Sequence, residues 1–316
     1  MSKHLFGLVV TPLGTAANNR GETEGNITTL QKILWQGEVH TTVSAEAIRW
    51  ALRRYWQLTG GEESVNRRWK EEGDKPSHVW ADHGFEKWER FIDDDVLGFM
   101  SAEAAKEETN ESEKATPKKG RPRGKTLVRR ARLEVTRALS LTPFAGDMTF
   151  NAASVGATPS ASKTGKDPVP YGTEVHATRY QYGFALTPED LSDKSRALLV
   201  LDAIVNMSEV AGNQARFLFD FSPDSIVLRW TDDFAPRFLY GFQTADGDRV
   251  SAQPILDRID SGDIAPEELV VGGSLAGQPY GQELKEKGAS VLAGVKAAVE
   301  EIKRRMRDSM KIKTGK

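Results

Sequence analysis

Along the chain, short apolar runs alternate with longer mixed stretches. His4 to Pro12 is a run of Leu, Phe and Val stopped by a proline, which predicts a buried strand. After a polar loop, LGTAANNRGETEGNITTL, Ser44 stands as a helix N-cap, and Val43 before it can pack on Ile48 as a hydrophobic staple. Ile48, Leu52 and Tyr55 recur at three- and four-residue steps, so a helix runs to Thr59, Gly60 and Gly61. Arg49 and Arg53 share an adjoining face of that helix, a second, cationic stripe beside the apolar one.

From 62 to 140 the pattern changes to a polar, Trp-dotted section, including NRRWKEEG and FEKWERFIDDDVLGFM, which reads as an inserted helical region. Its charged stretch at about 101–126 passes from acidic to basic with almost no large apolar residue, which predicts a mobile loop. TLVRRARLEVTRALSL then resumes helical spacing. Residues 141–173 are rich in Gly, Ala, Ser, Thr and Pro and should project as a loop or hairpin. In EVHATRYQYGFAL the apolar parity slips between Ala177 and Tyr180, which predicts a bulge at Thr178 or Arg179.

Thr187 and Pro188 look like the N-cap and first residue of a long helix reaching Arg216. Phe217, Phe219 and Phe221 alternate, as do Ile226, Leu228 and Trp230, which predicts a hairpin about Ser222 to Asp224; Phe238, Tyr240 and Phe242 suggest a further strand. Leu269 to Val271 is a short apolar run feeding GGSLAGQPYG, and Leu292, Val295, Val299, Ile302 and Met306 mark a C-terminal helix with a basic outer face. This order of elements predicts an α+β fold with a mainly antiparallel sheet backed by helices.

Composition narrows the function classes. The 316 residues contain no cysteine, which excludes disulfides, thiolate-bound zinc and a cysteine nucleophile. The apolar run at the N-terminus is too short for a signal peptide, and no stretch approaches the about 18 apolar residues of a membrane span, so a cytoplasmic protein without membrane contact is expected. With 43 basic and 45 acidic residues the formal charge is only −2, so any nucleic-acid site must arise from local segregation.

A search for catalytic patterns yields little. The histidines His4, His40, His78, His83 and His176 lack metal-ligand spacing and read as surface residues, and Asp93, Asp94 and Asp95 read as a solvated helix face. There is no GxSxG and no phosphate loop. No metal or cofactor is expected, and the prior for an enzyme falls.

Phosphate-binding features are better represented. The helix N-terminus at Ser44 offers free amides, which Arg49 and Arg53 extend along the helix, with Asn19, Arg20 and Lys32 in the preceding segment as further contacts. Gly272 and Gly273 permit close backbone approach to a polyanion. PKKGRPRGK at 117–125 has a Gly-Arg-Pro core resembling an AT-hook, which makes Lys118, Lys119, Arg121, Arg123 and Lys125 candidate DNA contacts, although a disordered basic loop explains the run as well.

Taken in order, the N-terminal strand, NNR, VSAEAIRWALR, the Gly/Ala/Ser-rich projection and VVGGSLAG resemble the CRISPR-associated backbone subunit of the type I Cascade complex, in the DevR-type, I-B-like branch of the RAMP superfamily. The resemblance covers most of the chain except about 62–140. It implies a modified RRM-like or ferredoxin-like palm at 1–61 and 174–316, helical fingers at 62–140 and a thumb at 141–173. It also implies a non-catalytic, multi-copy subunit that polymerises as a helical filament along guide crRNA, kinks it at intervals and presents it for pairing with target DNA. Other Cascade subunits, and a recruited nuclease or transposition proteins, are the implied partners.

By position, the family's guide-binding elements correspond to Asn19, Arg20, Ser44, Arg49 and Arg53. Met148 or Phe150 would be the thumb's apolar wedge, and Lys163 or Lys166 a phosphate contact, with His176 and Arg179 as further RNA contacts. The aromatic signature of ordinary RRMs is missing, so stacking on the sheet face is not expected. Two rival readings are a RAMP-type RNA-processing nuclease using His40, His176 or Asp147, and an AT-hook-like DNA-binding regulator.

Overall fold

A computed structural model describes residues 2–17, 23–70, 77–102, 126–152, 170–207, 210, 218–245 and 249–311. The chain forms two units, one of residues 1–55 with 133–316 and one of residues 56–132, the boundary falling inside the first helix. Among the described residues the helices are α1 (Ala45–Gly60), α2 (Ile92–Leu97), α3 (Arg196–Val205), α4 (Gln253–Asp260), α5 (Pro279–Glu286) and α6 (Val295–Met310).

The larger unit is built on a nine-stranded sheet. Its strands are β1 (His4–Val10), β2 (Lys32–Trp35), β3 (Glu38–Val43), β4 (Leu133–Val135), β5 (Ala138–Ser140), β6 (Tyr180–Leu186), β7 (Ser225–Thr231), β8 (Leu269–Gly273) and β9 (Ser290–Leu292). They lie in the order β9-β8-β7-β1-β6-β5-β3-β2, with β4 also on β6. All pairs are antiparallel except β8 with β9. The path β1, α1, β5, β6, α3, β7 therefore places its four strands in the order 4-1-3-2.

Both faces of the central strands β1, β7 and β8 are buried, whereas β2 at one edge is open, and the register shows how the centre is covered. Val9 pairs with Ile226 and Ile226 with Gly272, so the three share a face; a side chain at Gly272 would meet Ala298 and Gly294, which places α6 against it. Phe6, Leu8, Val10, Val227, Leu269 and Val271 belong to a second core with Phe238, Phe242, Ile255, Leu256 and Leu284. Residues from 238–242, 250–264 and 275–289 thus cover that face.

A smaller sheet joins the end of β1. Tyr171–Thr178 pairs antiparallel with Met148–Asn151 and with Gly14–Ala17, and parallel with Ile27–Thr28. At Arg179 the chain leaves this sheet and enters β6, so the parity slip in the sequence marks a change of sheet.

The second unit departs from the expected helical insertion. Arg67–Lys70 pairs with Ser77–Trp80, and Phe99–Ala102 with Thr126–Arg129, in two hairpins; α2 has only six residues. Trp80, Val79 and Trp69 face Arg67, Arg68 and His78 across the first hairpin, Phe99 faces Arg129 across the second, and the Phe85 and Phe99 rings stack at 4.1 Å. The apparent helix in TLVRRARLEVTRALSL is three short strands for the same reason.

Other expectations also change. Residues 188–205 form a short 3-10 turn and α3, with 211–217 outside the described residues. Phe219 and Phe221 are buried but not in a strand; β7 pairs instead with β1 and β8. Phe238 and Phe242 are buried across a turn whose Tyr240 has φ 55°, not in a strand. Leu292 ends β9, ahead of α6.

Asp93, Asp94 and Asp95 are not solvated but buried. Asp93 accepts from the Asn66 and Arg67 amides at 2.7 and 3.1 Å, Asp94 from the Asn66 side chain at 2.8 Å, and Asp95 pairs with Arg129. Replacing Asp93 by alanine strands two inward amides, so Asp93→Ala should cost about 2–3 kcal/mol in chemical denaturation.

Candidate nucleic-acid interface

One end of the large sheet gathers polar side chains. Here β1 ends and meets the start of β6: the Thr11 amide donates to the Tyr180 carbonyl, and the Tyr180 amide to Thr11 Oγ1, each at 2.9 Å. The start of β7 and the end of β8 join them, since the Asp224 amide donates to the Val10 carbonyl and the Ser274 amide to the Asp224 carbonyl. Arg179 Nη1 donates to the Thr11 carbonyl at 3.0 Å and pairs with Asp224 at 3.4 Å. Ser274 Oγ donates to the same Asp224 carboxylate at 2.5 Å.

Gly272 and Gly273 belong to this corner, where the chain's own atoms occupy the space beside them. Gly273 has φ 100°, and a side chain there would overlap the Asp224 carbonyl. Both glycines are buried. Arg179, Gly272 and Gly273, far apart in sequence, are therefore brought together around Asp224.

A second group forms at the root of the Met148–Asn151/Tyr171–Thr178 hairpin. Lys32 pairs with Glu174 at 2.7 Å and lies 5.2 Å from the Phe144 ring centroid, and Glu174 also accepts from the Leu30 amide. His176 and His40 are buried rather than at the surface. Burial lowers the His176 pKa, as does the nearby His40, while the Pro143 carbonyl and Asp147 act the other way. His40 Nδ1 contacts the Ser140 carbonyl at 2.8 Å, a partner the sequence could not name.

Beyond the root, Met148 and Phe150 share one face of the hairpin and are 51% and 75% exposed. Phe150 pairs with Gly172, beside which Met148 Sδ also lies, so Phe150 has no cross-strand side chain opposite it, while Met148 pairs with Glu174. Such a face can insert between bases.

Helix α1 supplies the third group. Ser44 is its N-cap, accepting from the Ala47 amide at 3.2 Å. Ile48 and Leu52 are buried, whereas Arg49 and Arg53 are half-buried on the neighbouring side. Arg49 lies 3.9 Å from Glu46, and its Nε is a buried donor without a partner. Sequence reading passes over Arg137, which donates to Gln31 and Thr42 at 3.1 and 3.2 Å, because a lone arginine carries no pattern.

Asn19, Arg20, Lys163, Lys166, Lys118, Lys119, Arg121, Arg123 and Lys125 lie outside the described residues. Among the described residues no three His, Asp or Glu side chains could together hold a metal ion, and no helix is long and apolar enough to cross a membrane.

Comparison with known proteins adds an independent line. A family model described as "CRISPR-associated negative auto-regulator DevR/Csa2" matches residues 13–311. A "CRISPR-associated protein Cas7/Cst2/DevR" of Myxococcus xanthus (strain DK1622) is 52% identical over 307 residues, covering 94% of this chain and 96% of the relative. A chain of a solved "CRISPR RNA-guided surveillance complex, pre-nicking" matches with a TM-score of 0.57 at 10% identity, over 95% of this chain and 98% of the other. A second, from a "CRISPR RNA-guided surveillance complex", gives 0.55 at 14%, over 96% and 99%. At these identities the two structures share the fold.

Proposed function

The chain belongs to the CRISPR-associated DevR/Csa2 family, and on that footing we propose that it is the multi-copy backbone subunit of a Cascade effector. Copies line up along guide crRNA and hold it so that target DNA can pair with the exposed bases; the protein contributes grip and shape rather than catalysis. The 4-1-3-2 strand order supports reading the larger unit as a ferredoxin-like palm. Residues 56–132 would be the fingers and the hairpin rooted at Tyr171–Thr178 the thumb.

The observation that carries this reading is the exposed Met148 and Phe150 pair on one hairpin face. With both faces of the central strands buried, base stacking there is unavailable, so an apolar wedge on a projecting hairpin is the natural way to part successive bases. Of the nuclease candidates, His40 and His176 are buried, and the exposed Asp147 belongs to no group of His, Asp and Glu that could hold a metal among the described residues.

The test is chemical footprinting of guide RNA assembled with the full chain. Wild type should give reactivity repeating at a fixed nucleotide interval, and Met148→Ala with Phe150→Ala should flatten that repeat and weaken binding roughly tenfold or more. A repeat of unchanged depth in the double variant would remove these residues from the wedge.

A further inference from the structure

His176 sits in the strand that returns from the hairpin, and its hydrogen-bond partners allow the proton positions to be deduced. Thr178 Oγ1 donates to the Arg179 carbonyl at 3.1 Å, so it can only accept from Thr142 Oγ1, 2.7 Å away. The single hydroxyl hydrogen of Thr142 is thereby used, and at its 3.2 Å contact it must accept from His176 Nε2–H. A neutral ring protonated at Nε2 then has Nδ1 as an acceptor, which takes the Thr41 hydroxyl hydrogen at 2.7 Å. Thr41 Oγ1, in turn, accepts from the Tyr180 hydroxyl at 2.8 Å.

The result is an unbroken one-way chain: Tyr180, Thr41, His176, Thr142, Thr178, the Arg179 carbonyl. It ties β3, β6, the segment entering the hairpin and the strand leaving it. Phe144 closes one side of the ring, 5.5 Å away and edge-on. A proton added at Nδ1 would turn that nitrogen into a donor and take from the Thr41 hydroxyl hydrogen its acceptor; Thr41 Oγ1 could regain one only by donating to Tyr180, whose own hydroxyl, completely buried with Thr41 as its partner, would then be stranded.

We propose that His176 is a positioning residue which, in its neutral Nε2–H form, fixes the hairpin root on the sheet edge and releases it on taking up a second proton. The consequence for RNA grip rests on the reading of that hairpin as the thumb. The groups facing the ring are the Pro143 carbonyl and Asp147 from the segment entering the hairpin, His40 from β3 and Tyr180 from β6, while the facing strand Gly14–Ala17 brings no charge. The Lys32–Glu174 pair lies two residues along the His176 strand.

The sign follows from the lowered pKa of His176. The ordered root binds fewer protons than the opened one, so its stability is complete above the ordinary histidine value of 6.5 and is lost as pH falls from there toward the lowered folded value.

Two readouts test this on the full chain between pH 7.5 and 5.5. The protection factors of residues 173–178 in the free protein, that is, exchange divided by its base-catalysed intrinsic rate at each pH, should fall as pH drops, by up to about tenfold for each unit by which the two states differ in pKa. Guide RNA affinity and the depth of the footprint repeat should fall over the same range. His176→Gln should remove both pH responses, His40→Gln should keep them, and Thr142→Ser should retain the root's protection where Thr142→Val loses it.

A pH-independent wild type, or a His176→Gln variant that keeps the wild-type response, would overturn the proposal. So would loss of the response in His40→Gln alone. If the free protein responds as expected but binds no guide RNA at pH 7.5, the positioning role stands and the thumb reading fails.

Discussion

With Arg49 and Arg53 both exchanged for glutamate, the chain should fold normally and bind guide RNA at least about a hundredfold more weakly at physiological salt. Both side chains are on the half-buried flank of α1, beside the Ile48–Leu52 stripe that anchors it, and glutamate is as good a helix former as arginine. The 3.9 Å contact of Arg49 with the exposed Glu46 is a surface pair of little worth, so its removal costs the fold almost nothing. Two charge-assisted hydrogen bonds are worth about 1.5–3 kcal/mol each, and the reversed charges add repulsion. Binding isotherms across a salt series check this, since the slope should also fall by about 0.7 for each phosphate that the variant no longer neutralises. Unchanged affinity and slope would remove α1 from the interface.

Gly7→Val should prevent the chain from folding. Gly7 is in β1, a strand with every residue buried, directly opposite Phe184 of β6, and a side chain there would overlap the Phe184 ring. The ring covers a bare strand backbone, so an added side chain must expel it. Overpacking costs about 1–3 kcal/mol and loss of a buried phenylalanine's packing about 3–5 kcal/mol, which together approach the whole stability of a domain. Little soluble protein is expected, with no cooperative thermal transition in what is recovered. Gly7→Ala is the milder probe: combined with Phe184→Leu it should be less destabilising than the two single changes sum to, whereas strict additivity would mean that the contact does not limit packing there.

Local signals make much of the larger unit legible. Ser44 with Val43 and Ile48 marks the start of α1, and Gly60 and Gly61 its end, because capping is a property of neighbouring residues. The parity slip before Tyr180 reveals a discontinuity, although it is a passage from one sheet to another rather than a bulge. The insertion resists such reading because strands of three or four residues carry too few positions to establish a period, and their pairing comes from partners distant in sequence.

What the sequence conceals is mostly nonlocal satisfaction of polar groups. Three adjacent aspartates look solvated until Asn66 and Arg129 are seen to reach them, and His40 and His176 look like surface residues until β5 and the hairpin root close over them. Similarly, Gly272 and Gly273 suggest room for a polyanion, whereas Gly294, Ala298 and Asp224 already fill it. Arg179 and Lys32 are recognisable as cations, but their carboxylate partners Asp224 and Glu174 are not. Charge is written in a sequence; its neutralisation depends on the fold.

The central claim is that copies of this chain line up along a guide. The most direct measurement is native mass spectrometry of complexes assembled with guides whose spacers are lengthened in equal steps. The number of copies should rise by one at each fixed increment of spacer length. A copy number that stays at one for every guide would contradict the account.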